Sequence, residues 1–446
     1  MTDPTTLSRQ LGYLFLTADW DRERMIISAE HALGGRPGWL ISVVDQVIGR
    51  FPIKPADRPD ELASGIDRLD DFRQGLKADH AAGLAWRVGR IPVVDLEPPN
   101  LRMTGSRWPV PVIGTEEQLA DLLRVDLPVL LWLADVNGLQ RRTPPGDLHP
   151  YRYRWLERPG RTPRLLEIPR PLLRDVQRRL LHRVLDKIPV HSAAFGFVAG
   201  RDARANAVRH AGSDWVINID LRSFFSSVRA GRGYAIMRHC GYPESVARLV
   251  TGLIGQRTPH WVLRGMPVSG DTSDRAWLRA ALSTRHLPQG APSSPAIANL
   301  ASFRLDRRLQ GLADDLGHRY TRYADDLTFS GDGRMPDVRF LRLVRTIIAE
   351  EGFRPNDAKQ RSRTRGSRQL VTGIVINERL NPVRSEYDRL RAILHDAARN
   401  GAGQANRHDH PDFRAQLDGR IGWVERLNPG RGARLRALFA MVDWKS

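Results

Sequence analysis

Two acidic segments, roughly a hundred residues apart, limit most strongly what this chain can fold into. Residues 216–220 alternate β-branched with smaller side chains and end on Asp220, which predicts a strand that finishes on an acid. Residues 320–329 place aromatic and apolar side chains on both sides of an Ala-Asp-Asp sequence, which predicts a hairpin with a tight turn. If the strands lie side by side, Asp220 and Asp325 converge, and like charges at such a distance require cations between them.

Carboxylates that share two divalent cations form the catalytic device of nucleotidyl transfer. An Asp-Asp pair alone is weak support, because acidic side chains are mostly exposed, and further pairs stand at 70–71 and 314–315 in charge-rich, helix-like surroundings. The pair at 325–326 differs because aromatic and β-branched residues flank it, as expected in a half-buried hairpin. The two segments therefore predict a metal-binding site.

Composition limits the class of protein. A length of 446 residues predicts two or three domains, and a formal net charge of +19 predicts a polyanionic partner, for which nucleic acid is the obvious candidate. The single cysteine, Cys240, excludes an intramolecular disulfide and a cysteine-rich zinc module, and it fits a reducing compartment. The amino terminus lacks a basic leader and the longest apolar run, 127–134, is too short for a bilayer, so we expect a soluble, cytoplasmic protein without a membrane partner.

Local patterns predict the order of elements along the chain. Residues 1–110 show no chemical motif, and a boundary is plausible near 98–99 or within 109–114. Thr115 and Gln118 have capping-box spacing, which predicts the start of a helix. Further patterns predict a hairpin over 151–169 with a basic tip, helices over 172–188, 297–312 and 338–351, a strand over 369–376, and a basic helical module from 384 onward.

Four short motifs carry a resemblance to a known family. Residues 206–210 (Asn-Ala-Val-Arg-His) and 371–373 (Val-Thr-Gly) match two motifs that mark retron reverse transcriptases, and residues 191–197 and 287–292 strengthen the match. The chain thus resembles a bacterial reverse transcriptase, more narrowly a retron reverse transcriptase. The resemblance runs from about residue 116 to the end, so the preceding extension is expected to be atypical.

The resemblance implies an α+β fold with the right-hand architecture of polymerases. Residues 111–380 would form the fingers and a palm with an antiparallel sheet, and 381–446 a helical, RNA-binding thumb. Residues 1–110 would be an extension of unknown role. No pattern in the chain indicates a ribonuclease H or integrase module.

The resemblance also implies roles for particular residues. Asp220 and Asp325 would hold two Mg²⁺ ions, with Asp326 completing the cluster, and Lys359 would donate a proton to the departing pyrophosphate. The substrate-binding residues would be Arg161 and Arg164 at the triphosphate, Phe225 against the sugar, and Gln289 with Gly290 beneath the template and nucleotide. His210 is expected to hydrogen-bond backbone, and neither it nor the histidines at 408 and 410 is assigned to chemistry.

The function implied by the resemblance is reverse transcription of the enzyme's own structured non-coding RNA. With dNTPs as substrates, such enzymes start from a guanosine 2′-hydroxyl and leave RNA-linked single-stranded DNA, called msDNA. They commonly act with an effector protein in anti-phage defence.

Two alternatives remain open. A group II intron-like or abortive-infection-type reverse transcriptase would carry the same acids, although the lack of a cysteine-rich endonuclease module argues against an active mobile intron. A non-catalytic RNA-binding scaffold would retain the fold, and the intact acids at 220, 325 and 326 argue against it.

Overall fold

Helices and antiparallel strands are mixed along the chain, which confirms the predicted α+β class. The computed structural model describes residues 4–52, 54–55, 59–88, 106, 108–136, 138–140, 143, 146, 148–157 and 159–444. The possible boundary at 98–99 lies outside these residues. Two compact units are present: the first is built from Met1–Ile188 and Val228–Ser294, and the second from Pro189–Ser227 and Pro295–Ser446.

The helices follow in chain order. They are α1 Pro4–Thr17, α2 Arg22–Leu33, α3 Leu40–Arg50, α4 Pro59–Asp67, α5 Asp70–Ala81, α6 Glu116–Leu123, α7 Leu127–Ala134, α8 Pro171–Arg183, α9 Ala203–Val208, α10 Phe224–Ser227, α11 Ala230–His239, α12 Glu244–Ile254, α13 His260–Arg264, α14 Thr272–Ser283, α15 Ser294–Ala301, α16 Phe303–Asp315, α17 Val338–Glu350, α18 Arg384–Asn400, α19 Ala402–Ala405, α20 Phe413–Leu427 and α21 Pro429–Ala440.

The strands form three antiparallel sheets in the described part of the chain. They are β1 Tyr151–Leu156, β2 Arg164–Pro169, β3 Trp215–Asp220, β4 Arg319–Tyr323, β5 Asp326–Gly331, β6 Arg361–Thr364, β7 Leu370–Val371 and β8 Ile374–Val375. β1 pairs with β2 and β7 with β8, while the four-stranded sheet has the order β4-β5-β3-β6.

In the first unit, α1 to α5 pack around a core of their own. Leu7, Leu11 and Leu14 recur at helical spacing in α1 and are buried in this core. The rings of Trp39 and Phe72 meet edge to face with centroids 5.1 Å apart. Helices α1 to α5, which lie within the segment without chemical motifs, therefore form a helical bundle with its own apolar interior.

Two predictions for the rest of the first unit are confirmed. Helix α6 begins as the capping pattern predicts: the Gln118 amide N–H donates to Thr115 Oγ1 at 3.3 Å. In return, the Gln118 side chain accepts a hydrogen bond: the backbone N–H of Gly114 donates to Gln118 Oε1 at 2.6 Å. The hairpin β1–β2 forms in the register Tyr151↔Pro169 to Leu156↔Arg164, with residue 158 of its tip outside the described residues.

The second unit is centred on β3, which lies between β5 and β6. Trp215, Val216, Ile217 and Ile219 are all buried, as expected for an inner strand covered on both faces. The predicted hairpin around the acid pair is confirmed, with β4 and β5 joined by Ala324 and Asp325 and in register from Arg319↔Ser330 to Tyr323↔Asp326.

Two element predictions in the second unit are wrong. The single strand over 369–376 is the hairpin β7–β8, because Thr372 and Gly373 both have positive φ, 49° and 79°, and turn the chain back. The single helix over 297–312 is interrupted at Ser302 between α15 and α16. The Ser302 hydroxyl donates to the carbonyl of Ala298 at 2.8 Å, a bond that bends helices.

The predicted helical pattern after residue 384 is confirmed by α18 to α21. Their apolar faces form one core, consisting of Tyr387, Leu390, Leu394, Leu417, Ile421, Val424 and Leu435. The assignment of this region as a thumb stays a prediction. None of the helices in the described part of the chain combines the length and apolar character that a membrane span requires.

Candidate active site

The register of the four-stranded sheet brings the predicted acids to one edge. Asp220, the last residue of β3, lies directly opposite Asp326, the first residue of β5. Opposed residues of an antiparallel pair project from the same face of the sheet. Asp325 stands next to them in the turn, where its carbonyl accepts from the Leu221 N–H at 2.8 Å. The register therefore pairs Asp220 with Asp326, and Asp325 precedes it in the turn.

The three acids repel one another electrostatically. Although Asp326 remains exposed, desolvation by the surrounding protein raises its pKa to about 6, reinforced by the negative charges of Asp325 and Asp220 and opposed by Lys359. In the described residues, no group of three or more His, Cys, Asp or Glu side chains is arranged to hold a metal ion. The three acids therefore concentrate negative charge at this place, partly offset by Lys359.

Two side chains hold the carboxylate of Asp220. The ammonium group of Lys359, at the end of the one-turn 3₁₀ helix Asp357–Lys359, forms an ion pair with Asp220 Oδ1. Asn356 Nδ2 donates to Asp220 Oδ2 at 2.9 Å, and the Asn356 backbone N–H donates to the Asp220 carbonyl at 2.7 Å. The structure thus places Lys359 at the acids and adds Asn356, which no local sequence signal indicated.

A buried arginine holds the turn between β4 and β5. Arg322 and Asp306 are both fully buried, and the guanidinium donates to the Asp306 carboxylate through Nε at 2.8 Å and Nη2 at 2.7 Å. Arg322 Nη1 also donates to Asn299 Oδ1 at 2.9 Å and to the carbonyl of Ala324 at 3.1 Å. The Tyr320 hydroxyl donates to Asp306 at 2.9 Å. This arginine clamp fixes the backbone immediately before the acid pair.

The two phenylalanines of α10 differ in environment. Phe224 is 4% exposed and stacks on Phe353 with ring centroids 5.7 Å apart. Phe225 is half-buried. Phe224 is thus the core residue, and Phe225 is the one available to a ligand.

The other predicted substrate residues belong to the first unit. Arg161 and Arg164 are exposed, Arg161 at the tip of the hairpin and Arg164 at the start of β2. Behind the tip, the Ser269 hydroxyl donates to the Arg161 carbonyl at 3.0 Å. A Cβ on Gly270 would lie 2.4 Å from the carbonyl carbon of Arg161, so only glycine permits this close packing of the tip.

Gln289 and Gly290 are joined to β2 through the backbone. The carbonyl of Gln289 accepts from the Glu167 N–H at 2.9 Å. Gly290 has φ 127°, and a Cβ there would lie 3.1 Å from the Glu167 carbonyl oxygen. Both facts favour glycine at this position.

A buried polar cluster anchors Glu167 beneath this loop. Its carboxylate accepts from Gln256 Nε2, from Thr258 Oγ1 at 2.8 Å and from His286 Nε2 at 2.8 Å. Burial alone would lower the pKa of His286, but the charge of Glu167 and the hydrogen bond to it raise that pKa above its ordinary value. Sequence reasoning missed this cluster because its members are far apart in the chain.

The prediction that His210 hydrogen-bonds backbone is wrong for its ring. The ring is fully buried between two hydroxyls: Nδ1 lies 2.8 Å from Ser330 Oγ and Nε2 lies 2.7 Å from Thr321 Oγ1. The ring therefore links the segment after α9 to the four-stranded sheet through side chains rather than backbone. Burial, together with the positive charges of Arg319 and Arg209, lowers the pKa of His210 to about 3.

Comparison with known proteins defines the class of this site. The model of the family described as reverse transcriptase (RNA-dependent DNA polymerase) matches residues 157–375, a range that contains all three acids. The chain is an RNA-directed DNA polymerase.

Several similar proteins are retron enzymes. The retron Mx65 reverse transcriptase of Myxococcus xanthus is 38% identical over 90% of this chain and 90% of its own length. The retron Mx162 enzyme of the same organism is 32% identical over 82% of this chain and 75% of its own length. The retron Ec86 enzyme of Escherichia coli is 32% identical over 55% of this chain and 69% of its own length. The chain therefore belongs to the retron reverse transcriptase family.

The match to the Mx65 enzyme corrects the expected start of the resemblance. An alignment over 90% of this chain takes in much of the region before residue 116. The prediction that the resemblance begins near residue 116 is therefore wrong.

Proposed function

We propose that this enzyme reverse transcribes its own structured non-coding RNA into RNA-linked single-stranded DNA by nucleotidyl transfer with two Mg²⁺ ions. The observation that carries the proposal is the register of the sheet, which sets Asp220 opposite Asp326 with Asp325 in the adjoining turn. Family membership supports polymerisation on an RNA template, and the acid cluster is the proposed place of the reaction.

The donor set fits magnesium. Mg²⁺ prefers oxygen ligands, keeps several waters, and is bound by one or two carboxylates plus substrate phosphates rather than by an all-protein cage. Three carboxylates at an open sheet edge suit that mode of binding, although they form no closed group by themselves. Asp220, Asp325 and Asp326 would hold the ions, which supply activation of the primer hydroxyl and compensation of charge on the leaving pyrophosphate.

Two further predicted residues of the second unit, Lys359 and Phe225, would act beside the acids. Lys359, already in contact with Asp220, would protonate the departing pyrophosphate. Phe225, half-buried beside the buried Phe224, would collide with a 2′-hydroxyl and so reject ribonucleotides.

In the first unit, Arg161 and Arg164 would bind the triphosphate, since exposed guanidinium groups bind phosphate oxygens in a bidentate manner. Gln289 and Gly290 would support the template and nucleotide on a loop that the Glu167 cluster fixes. We assign fingers and palm to 111–380, an RNA-binding thumb to 381–446, and an extension to 1–110.

The decisive experiment replaces Asp325 by Asn and measures magnesium-dependent primer extension together with RNA affinity. We expect cDNA synthesis to be abolished and RNA affinity to change little, because one carboxylate is lost while the shape of the turn is kept. Asp314→Asn, on helix α16, is the matched control and should extend normally. Full polymerisation by the Asp325 variant would refute the assignment of the metal site.

The product and biological role rest on membership of the retron family. Nucleic acid that co-purifies with the enzyme should contain a branch joining RNA to single-stranded DNA through a 2′-linkage. We further propose an effector protein as partner and a role in anti-phage defence. Cells carrying the complete locus should resist phage, and cells with Asp325→Asn should not; equal resistance would contradict a role for cDNA synthesis.

A further inference from the structure

Phe197 is an exposed aromatic residue on a backbone that such residues rarely adopt. Its φ is 59° and its side chain is 59% exposed. A bulky residue with positive φ is an outlier, and strained residues persist only where the surrounding structure holds them. Seven non-glycine residues in the described part of the chain have positive φ, and three of them, Phe197, Ser223 and Ala324, lie beside or within the acidic turn and α10.

The segment that carries Phe197 is held from three sides. The Phe195 N–H donates to the Arg322 carbonyl at 2.8 Å, and the Arg322 N–H donates to the Ala193 carbonyl at 2.8 Å. Asn299 Nδ2 donates to the Gly196 carbonyl at 2.9 Å. Arg201 Nη1 donates to three carbonyls of the same segment, those of residues 191, 192 and 194. The backbone before Phe197 is therefore rigid, and the exposure of the ring is not a product of a loose loop.

This rigid segment touches the acidic turn. A Cβ on Gly196 would lie 2.4 Å from the backbone nitrogen of Ala324, so the two backbones are packed against each other. On the other side, the ring of Phe197 lies 6.4 Å from that of Phe225 between centroids, at an interplanar angle of 54°. Phe197 thus stands next to both the acids and the residue assigned to the sugar.

A single exposed aromatic residue is ordinary on a protein surface. Here, however, the ring is exposed on a strained backbone, the backbone is fixed by five hydrogen bonds from Phe195, Asn299 and Arg201, and the neighbours are the acidic turn and Phe225. A flat apolar face presented rigidly at such a place suits the face of a nucleobase, because every base has a π-face that stacks on aromatic side chains.

We propose that Phe197 is a nucleobase-stacking residue of the polymerase site. The base belongs either to the incoming nucleotide or to the template nucleotide opposite it, and in both cases the contact is to the flat face of the ring. The inference rests on the proposed function, namely on the acidic turn being the catalytic centre.

The test measures binding without chemistry, on the full-length enzyme. An RNA template annealed to a DNA primer that lacks its terminal 3′-hydroxyl is titrated by fluorescence anisotropy, and the next dNTP is then titrated into the complex. Removing one base–aromatic stack typically weakens binding about tenfold or more, so Phe197→Ala should weaken one of the two steps by about that factor. Phe197→Tyr keeps the ring and should bind within about twofold of the wild type.

The arm that responds identifies the base: a weaker dNTP step indicates the incoming nucleotide, and weaker hybrid binding indicates the template. Leu316→Ala, at an exposed apolar residue after α16, is the control and should change neither step. Wild-type binding by Phe197→Ala in both arms would overturn the inference. So would equal losses in the Ala and Tyr variants, since the ring would then not be the contact. Failure of the proposed function is seen separately, as primer extension that survives Asp325→Asn.

Discussion

Arg322 holds the acidic turn with a side chain that solvent does not reach. Its guanidinium forms a two-point bond with Asp306 and also donates to the carbonyl of Ala324. Arg322→Met leaves the buried carboxylate without its partner, so we expect the free energy of unfolding to fall by about 3–5 kcal/mol. Urea unfolding followed by fluorescence measures this loss.

A second variant separates stability from positioning. Arg322→Met combined with Asp306→Asn removes both charges but leaves an acceptor for Tyr320, so most of the lost stability should return. The Ala324 carbonyl still lacks its donor, so the acids of the turn should be misplaced. Primer extension should therefore stay about a hundredfold slower than in the wild type. A double variant with the wild-type extension rate would show that the clamp does not position the turn.

Phe225 and its neighbour offer a matched pair for the sugar contact. Phe225→Ala should admit ribonucleotides about tenfold more readily, because the side chain that would collide with the 2′-hydroxyl is gone. Phe224→Ala removes a buried ring stacked on Phe353 and should instead destabilise the protein by about 3–5 kcal/mol. Competition between a dNTP and the matching rNTP during extension measures the first effect. Unchanged discrimination in Phe225→Ala would show that this ring does not contact the sugar.

His210 should make the stability of the protein depend on pH. Its folded pKa is about 3, against an unfolded value of about 6.5. Between these values the unfolded chain binds the extra proton, so stability rises with pH in this window and is lost as pH falls. His210→Gln should therefore flatten the slope between pH 4.5 and 6 by up to about 1.4 kcal/mol per pH unit. Urea unfolding at several pH values measures this slope, and His239→Gln, at an exposed histidine, is the control. An unchanged slope in His210→Gln would show that the imidazole is charged when buried.

At the scale of elements, the turn of the β7–β8 hairpin depends on its backbone more than on its contacts. Gly373 has φ 79°, and no atom lies within 4 Å of the position that a Cβ would take, so a side chain there meets strain but no collision. Gly373→Ala should therefore cost about 1–2 kcal/mol of unfolding free energy. Gly366→Ala, where space is also open and φ is not in the left-handed range, should cost little. Equal effects of the two changes would contradict the backbone explanation.

The same hairpin shows where sequence patterns fail. Alternation and turn residues predicted β3 and the β4–β5 hairpin, because those signals are local and agree with the tertiary structure. A threonine seldom adopts positive φ, so nothing in the sequence indicated the turn at Thr372. The Thr372 hydroxyl instead donates to the carbonyl of Ala203 at 3.0 Å, a contact 169 residues away in the chain.

Within the candidate site, the acids could be predicted and their supports could not. The acids stand at strand ends with recognisable flanks, and the sheet register then brings them together. Arg322 looks in sequence like an outward-facing polar residue of a strand, because arginine is rarely fully buried. Asp306, the partner of Arg322, and Asn356, which donates to Asp220, lie elsewhere in the chain. Only the folded structure shows that these residues are neighbours.

For the whole molecule, we expect the net charge of +19 to contribute to binding the phosphates of RNA. Arginines of the second unit differ in how available they are. The side chains of Arg384 and Arg407 are 87% and 79% exposed and only weakly paired, each 3.5 Å from an aspartate. Arg436 is 37% exposed and bonded to Asp418 and Glu425. We therefore expect the first two to be more available to phosphates than Arg436, which is bonded within the fold.

Binding of the cognate RNA should therefore depend steeply on salt. With about six phosphates neutralised, affinity should fall on the order of a thousandfold between 50 and 200 mM salt. Arg384→Gln with Arg407→Gln should lower the slope of log affinity against log salt by about 2, whereas Arg436→Gln should leave that slope unchanged and lower the unfolding midpoint. Filter binding across a salt series gives the slopes. An affinity that does not respond to salt would mean that the positive charge reflects the amino-acid usage of the source organism and takes no part in RNA recognition.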